Sequence, residues 1–295
     1  MTLTVVSPWY QNGWILYPSV GGIFGLLLFS TVFAYRYYQE RQQVLAYQLL
    51  AVSELDDARR VQMGLMPEIA PEVEGLEIAG RCVSANTVSG DFFDYLQGDN
   101  EIVIVVGDVT GHGMQGAMNA VMVDGILRSL ARRGIELSPV NLMSELNNDL
   151  TPQLEDQMNV TMVIGLINAD TKTLTLANAG HHAHPLLVRN GTVEQLVSKG
   201  MPLGMMAGIS YQEIEFELQS GDVVVFMTDG IIEAKDNSGT EYQESGRLEQ
   251  VLGSFTPDTS AEAMVSALIN DATTFGADMT TEEEDDITVA VVKVL

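Results

Sequence analysis

The stretch EIVIVVGDVTGHGMQG, residues 101–116, constrains the chain most. Residues 102–106 are five apolar residues in a row, suited to a buried strand. Gly107 then lets the backbone turn, and Asp108 is expected to project from the strand's end. Gly111, His112 and Gly113 follow and allow tight backbone conformations that residues with a Cβ resist. A carboxylate at the lip of a rigid strand, beside a glycine-rich turn, is placed to hold a cation. A lone Asp in such a place more often only caps a turn. Here the arrangement recurs. Asp91 follows Ser89-Gly90, Asp229 ends the apolar run 223–227, and Asp285 precedes the apolar run 287–294.

The donors in this set are all oxygen, which favours hard cations such as Mg²⁺ or Mn²⁺ over zinc. Two such ions sharing one carboxylate activate water near neutral pH and neutralise phosphoryl charge, so no Ser, Cys or His nucleophile is required. Composition agrees. Lys+Arg is 14 against Asp+Glu 40, a formal net charge of -26. Nucleic acid is thereby excluded as a partner, because phosphate binding needs concentrated positive charge. The single Cys82 rules out an intrachain disulfide and a cysteine-based zinc knuckle. With 295 residues and 46% hydrophobic content, the chain can build one large domain plus extra elements.

Those extra elements come first. Residues 14–35 carry no charge and are long enough to span a bilayer as a helix, with Trp9, Tyr10 and Trp14 at one flank. Arg36 and Arg41 follow directly, which puts the C-terminal side in the cytoplasm of a single-pass protein of the inner membrane. Residues 1–13 are then extracytoplasmic. They are too few to fold as a sensor, so the chain is expected to be a truncated relative of a larger sensor, or a subunit that listens to a membrane partner. Residues 36–66 read as a linker helix. Val44, Ala51, Leu55, Ala58 and Leu65 fall at coiled-coil spacing, with Gln48 and Gln62 completing a seam for a homodimer. The helix is expected to stop at Met66-Pro67.

Residues 67–295 form the last domain. Strands are expected over 76–82, 102–106, 161–168, 174–178, 186–188, 192–197, 211–218, 223–227 and 287–294. Helices are expected over 114–132, from Ser138-Pro139 onward, and over 261–275. Asn190-Gly191 marks a type I′ hairpin turn. Hairpins with helices inserted between them predict antiparallel sheets covered by helices, an α+β arrangement rather than βαβ units.

Several ordered stretches carry a family resemblance. They are ARRVQMGLMP (58–67), VSGDFFDY (88–95), GDVTGHG (107–113), NAGHHAHPLL (178–187), GMPLGM (200–205), FMTDGIIEA (226–234) and DDITV (285–289). Together they resemble the SpoIIE-like, RsbU-type branch of the PPM (type 2C) metal-dependent serine/threonine phosphatases over residues 56–295. The resemblance implies an αββα sandwich with two Mn²⁺ or Mg²⁺ ions between its sheets. Asp91 resembles the carboxylate bridging both ions. Asp108, with the Val109 carbonyl beside it, resembles the ligand set of one, and Asp229 and Asp285 resemble ligands of the other. Asp286 is expected behind these ligands, and Asp94 near the water they hold. The implied partner is a phosphorylated signalling protein, a STAS-type anti-sigma-factor antagonist. The chain departs from the family after Glu233, where residues 239–243 lack the second glycine of a Gly-Glu-x-Phe-Gly pattern. Two other readings stand beside the phosphatase: a non-catalytic binding module of the same fold, and a metal hydrolase of another substrate such as a small phosphomonoester. His181, His182 and His184 have a spacing that suits a metal on a strand, but no Cys or further His completes a zinc set.

Overall fold

The computed structural model describes residues 8, 10, 13–85, 88–111, 113–134, 136–153, 158–276 and 285–295. The chain divides into two compact units, Met1–Glu54 and Leu55–Leu295. A single helix, α1 (Gly13–Met63), supplies most of the first unit and enters the second. It is long and apolar enough to cross a membrane, and none of its most apolar window is buried against protein. Its end differs from expectation. The helix closes at Met63, three residues before Met66. Gly64 donates to the Arg60 carbonyl and Leu65 to the Gln62 carbonyl, a tightening last turn ahead of the proline.

The second unit is an αββα sandwich. One sheet runs in the order β1 (Leu76–Val83), β10 (Ile287–Val294), β9 (Val223–Met227), β6 (Leu186–Arg189), β7 (Thr192–Gln195). The other runs β2 (Asp91–Gln97), β3 (Glu101–Val109), β4 (Val160–Asn168), β5 (Thr173–Ala179), β8 (Glu213–Glu217). Every named strand pair is antiparallel. Helices α2 (Gly113–Arg132) and α3 (Pro139–Leu150) cover the second sheet. Helices α5 (Arg247–Gly253) and α6 (Ala261–Gly276) cover the first, and the single turn α4 (Asp229–Ile232) follows β9.

The period-2 alternation of the strands builds three core layers from this order. In β3, Ile102, Ile104 and Val106 point between the sheets, while Val103, Val105 and Val109 point at α2 and α3. In β9, Val224 and Phe226 point between the sheets, and Val223, Val225 and Met227 point at α6. Strands buried on both faces read as continuous apolar runs, which is why β9 and β10 match their expected limits to the residue.

Three differences bear on the site. Gly107 is not a turn: it lies inside β3, paired with Phe92 and Met162. A Cβ there would stand 2.8 Å from the Phe92 ring, so the glycine makes room for that ring. Residues 91–97 form a strand, β2, with Asp91 paired to Asp108. The expected strand 211–218 contracts to β8, an edge strand whose Glu213, Glu215 and Glu217 are exposed. Charges of this kind keep an open edge from pairing with other chains.

Candidate active site

Strand parity decides which carboxylates meet. Asp108 shares its side of β3 with Val106 and Ile104, and Asp91 shares its side of β2 with Phe93. All three apolar residues lie in the layer between the sheets. Asp91 and Asp108 are register partners, so both carboxylates emerge at one end of the inter-sheet layer. From the opposite sheet, β9 ends at Met227, and Thr228 then donates its hydroxyl to Asp91 Oδ2 at 2.5 Å. Asp229 opens α4, and Asp285 and Asp286 precede β10, the neighbour of β9. Gly230 brings these segments together: a Cβ on it would lie 2.0 Å from the Asp286 carbonyl oxygen, so only glycine fits.

The backbone around Asp91 is fixed on several sides. Gly90 N–H donates to Asp286 Oδ2 (3.0 Å) and Ala85 N–H to Asp286 Oδ1 (2.9 Å). Asp286 thus holds the loop before Asp91. Val109 N–H donates to the Gly90 carbonyl at 3.2 Å, and a Cβ on Gly90 would stand 2.8 Å from the Val109 carbonyl oxygen and 3.2 Å from Asp108 Oδ1. The Val109 carbonyl therefore lies at the same place as the two paired aspartates.

The electrostatics show the same convergence. Burial, then Asp108, then Asp286 push Asp91 well above the ordinary carboxylate range, against the opposing Thr228 hydroxyl bond. Burial, then Asp229, Asp285 and Asp286, push Asp108 up to about 7. Asp285 is raised by burial and by Asp229 and Asp286. Among the described residues no three side chains close on one point as a ready-made ion cage, yet these carboxylates act on one another's protonation. A cluster of mutually repelling, oxygen-only donors is what a hard divalent cation relieves. The residues present fit Mg²⁺ or Mn²⁺.

One expectation needs correction. Asp94 does not face this centre. It points to the other side of β2, with Phe92, and pairs with Arg128 of α2 (Nε to Oδ2, 2.8 Å) beside Asp124. The three histidines of residues 181–184 do not converge. His181 is buried and spans the sheets, its Nε2 donating to the Met227 carbonyl (2.9 Å) and its Nδ1 accepting from the Thr161 hydroxyl (3.2 Å). His182 is exposed, and His184 Nδ1 lies 3.4 Å from the Asn178 amide. His181 is a clamp between β4 and β9, not a ligand. His112 lies outside the described residues. Thr228 and Ser89, both bonded to Asp91, escaped sequence reasoning. Adjacency to Asp229 and Gly90 was their only local signal.

Fold and acidic centre together define a PP2C-type (PPM) sandwich. The family described as Stage II sporulation protein E (SpoIIE) matches residues 98–295, and the chain belongs to that family. It is similar to the phosphoserine phosphatase RsbU of Bacillus subtilis, 29% identical over 216 residues, which cover 73% of this chain and 63% of RsbU. The chain thus spans less than two thirds of that relative. Its structure resembles the SiaA-PP2C domain of Pseudomonas aeruginosa (TM-score 0.71, 20% identity, 85% of this chain and 99% of that one). It also resembles RsbX solved in complex with magnesium (TM-score 0.56, 15% identity, 76% and 98%). At these identities the structural likeness is one of fold.

Proposed function

We propose that the chain is a metal-dependent serine/threonine protein phosphatase anchored in the inner membrane. The observation that carries this reading is the register pairing of Asp91 with Asp108, within electrostatic reach of Asp229 and Asp285, which stand beside the ends of β9 and β10. Asp91 would help to hold two ions. Asp108, the Val109 carbonyl, Asp229 and Asp285 would hold them with it. Two Mg²⁺ or Mn²⁺ ions bound there supply Lewis-acid charge and an activated water.

The chain's own residues do the positioning. Thr228 donates to one oxygen of Asp91 and so fixes the orientation of a carboxylate that would hold an ion. Asp286 holds Gly90, and so the approach of the β2 start to Asp108. His181 locks β4, next to Asp108, against β9, next to Asp229. Preorganised groups of this kind lower the barrier because they need no rearrangement as charge develops. The name of RsbU as a phosphoserine phosphatase and the family support a phosphoserine protein as substrate, and we assign a STAS-type anti-sigma-factor antagonist. Residues 14–35 form the membrane span and residues 36–66 a linker whose exposed stretch ahead of Gln62 pairs two copies. Residues 67–295 form the catalytic domain, in the cytoplasm.

The test is phosphate release from a phosphoserine-bearing STAS-type domain and from a small phosphomonoester, each with Mn²⁺ and with chelator. The expected result is Mn²⁺-dependent release that strongly favours the phosphoprotein. Release from the small ester alone replaces the substrate. Mn²⁺ binding without release from either makes the chain a non-catalytic module of the same fold.

A further inference from the structure

The last turn of α1 reaches the acidic centre through one side chain. Gln62 is only 2% exposed, far more buried than a seam position on an open linker helix. Its amide grips the backbone of Ser89 from both sides. Nε2 donates to the Ser89 carbonyl (2.5 Å), and Oε1 accepts the Ser89 N–H (3.0 Å). Ser89 passes the constraint on. Its hydroxyl accepts the Asp91 N–H (3.0 Å) and donates to the Asp91 carbonyl (3.2 Å). Between them, Gly90 is held by Asp286. A glutamine matches this task because it alone among uncharged side chains of its length both donates and accepts in one plane.

The rest of the helix end packs around this grip. A small crevice between helix, β2 and α2 is lined by Gln62, Leu65, Met66, Phe92, Ala120 and Asp124. The Leu65 carbonyl accepts from Arg128 at 2.6 Å. That second tie ends on Asp94 and Asp124, on the far face of β2, and does not touch Ser89 or Asp91.

We propose that Gln62 is a positioning residue for Asp91, whose grip on Ser89 sets the cation affinity of the site. This rests on the metal-site reading above. A turn or axial shift of the helix end moves the Ser89 backbone directly. The two bonds from Ser89 carry that shift to Asp91, which must stand where both cations can share it. An apolar residue at 62 leaves the Ser89 N–H and carbonyl buried without partners, and the loop is then free to leave the register that brings Asp91 opposite Asp108.

The test uses the full chain in detergent and reads Mn²⁺ affinity by calorimetry beside thermal unfolding. Gln62→Met keeps the volume and drops both bonds. Gln62→Glu keeps the acceptor and drops the donor. Arg128→Gln loosens the same helix end without touching Ser89. The expected result is at least a tenfold loss of Mn²⁺ affinity in Gln62→Met in protein that remains folded. Gln62→Glu should fall between it and the native chain, and Arg128→Gln should lower the unfolding temperature with affinity unchanged. Native affinity in Gln62→Met overturns the proposal, as does an equal loss in Arg128→Gln, since either makes Gln62 a packing residue only. Failure of the native chain itself to bind Mn²⁺ overturns instead the metal-site reading on which the proposal rests.

Discussion

Asp91 and Asp94 stand three residues apart on one strand and do different work. An odd spacing puts them on opposite faces of β2, so Asp91 joins the carboxylates between the sheets and Asp94 joins Arg128 and Asp124 beneath α2. Burial, then Asp124, outweigh Arg128 and push Asp94 up to about 7. In the unfolded chain an Asp titrates near 3.9. Between about pH 4 and about pH 7 the folded state therefore binds more protons than the unfolded one, and stability falls as pH rises through that window. Above it the effect is constant. Asp94→Asn should make the fall of unfolding temperature from pH 4 to pH 7 shallower than in the native chain. An equally steep fall would show that Asp94 titrates normally. The face assignment was available from the sequence once 91–97 is read as a strand. That reading was missed because two aspartates in a buried strand break the apolar signal.

Among the elements, those legible in the sequence were those whose signal is local. β9 and β10 announce themselves as unbroken apolar runs, and the hairpin turn by its Asn190-Gly191 pair, residue types that tolerate the positive φ values found there, 53° and 76°. Helices α4 and α5, of four and seven residues, are too short to show a helical period. The candidate site was legible as a set of aspartates through the family resemblance, but its assembly was not. The pairing of Asp91 with Asp108, the His181 clamp and the Gln62 grip depend on contacts between residues distant in sequence. Gly107 illustrates the same limit: its neighbours suggest a turn, and only the Phe92 ring across the ladder explains the missing side chain. Gly107→Ala should cost about 1–3 kcal/mol, the usual range for overpacking a filled core, read by chemical denaturation. An unchanged midpoint would mean that the Phe92 ring moves aside freely. Ser138 caps α3, accepting from Asn141 N–H with Pro139 at the first helical position. Its replacement by Ala should cost about 1 kcal/mol on the same assay.

At the scale of the whole molecule, α1 has an apolar length with no protein around it, and the unit Leu55–Leu295 has its own three-layer core. A chain beginning at Leu55 should be soluble and monodisperse, while the full chain should require detergent. A full chain that is monodisperse without detergent would refute the membrane span. The central claim concerns the acidic centre, and the most direct test is p-nitrophenyl phosphate hydrolysis by the full chain in detergent. It should be measured against Mn²⁺ concentration for the native protein, Asp108→Asn and Asp229→Asn. These variants draw on opposite sheets and keep the side-chain volume, so their loss reports on charge and coordination. The account predicts Mn²⁺-dependent turnover in the native chain and at least a hundredfold loss in both variants, of the order of ~2.7 kcal/mol or more of transition-state stabilisation. Turnover that survives in either variant, or proceeds without Mn²⁺ or Mg²⁺, would contradict it.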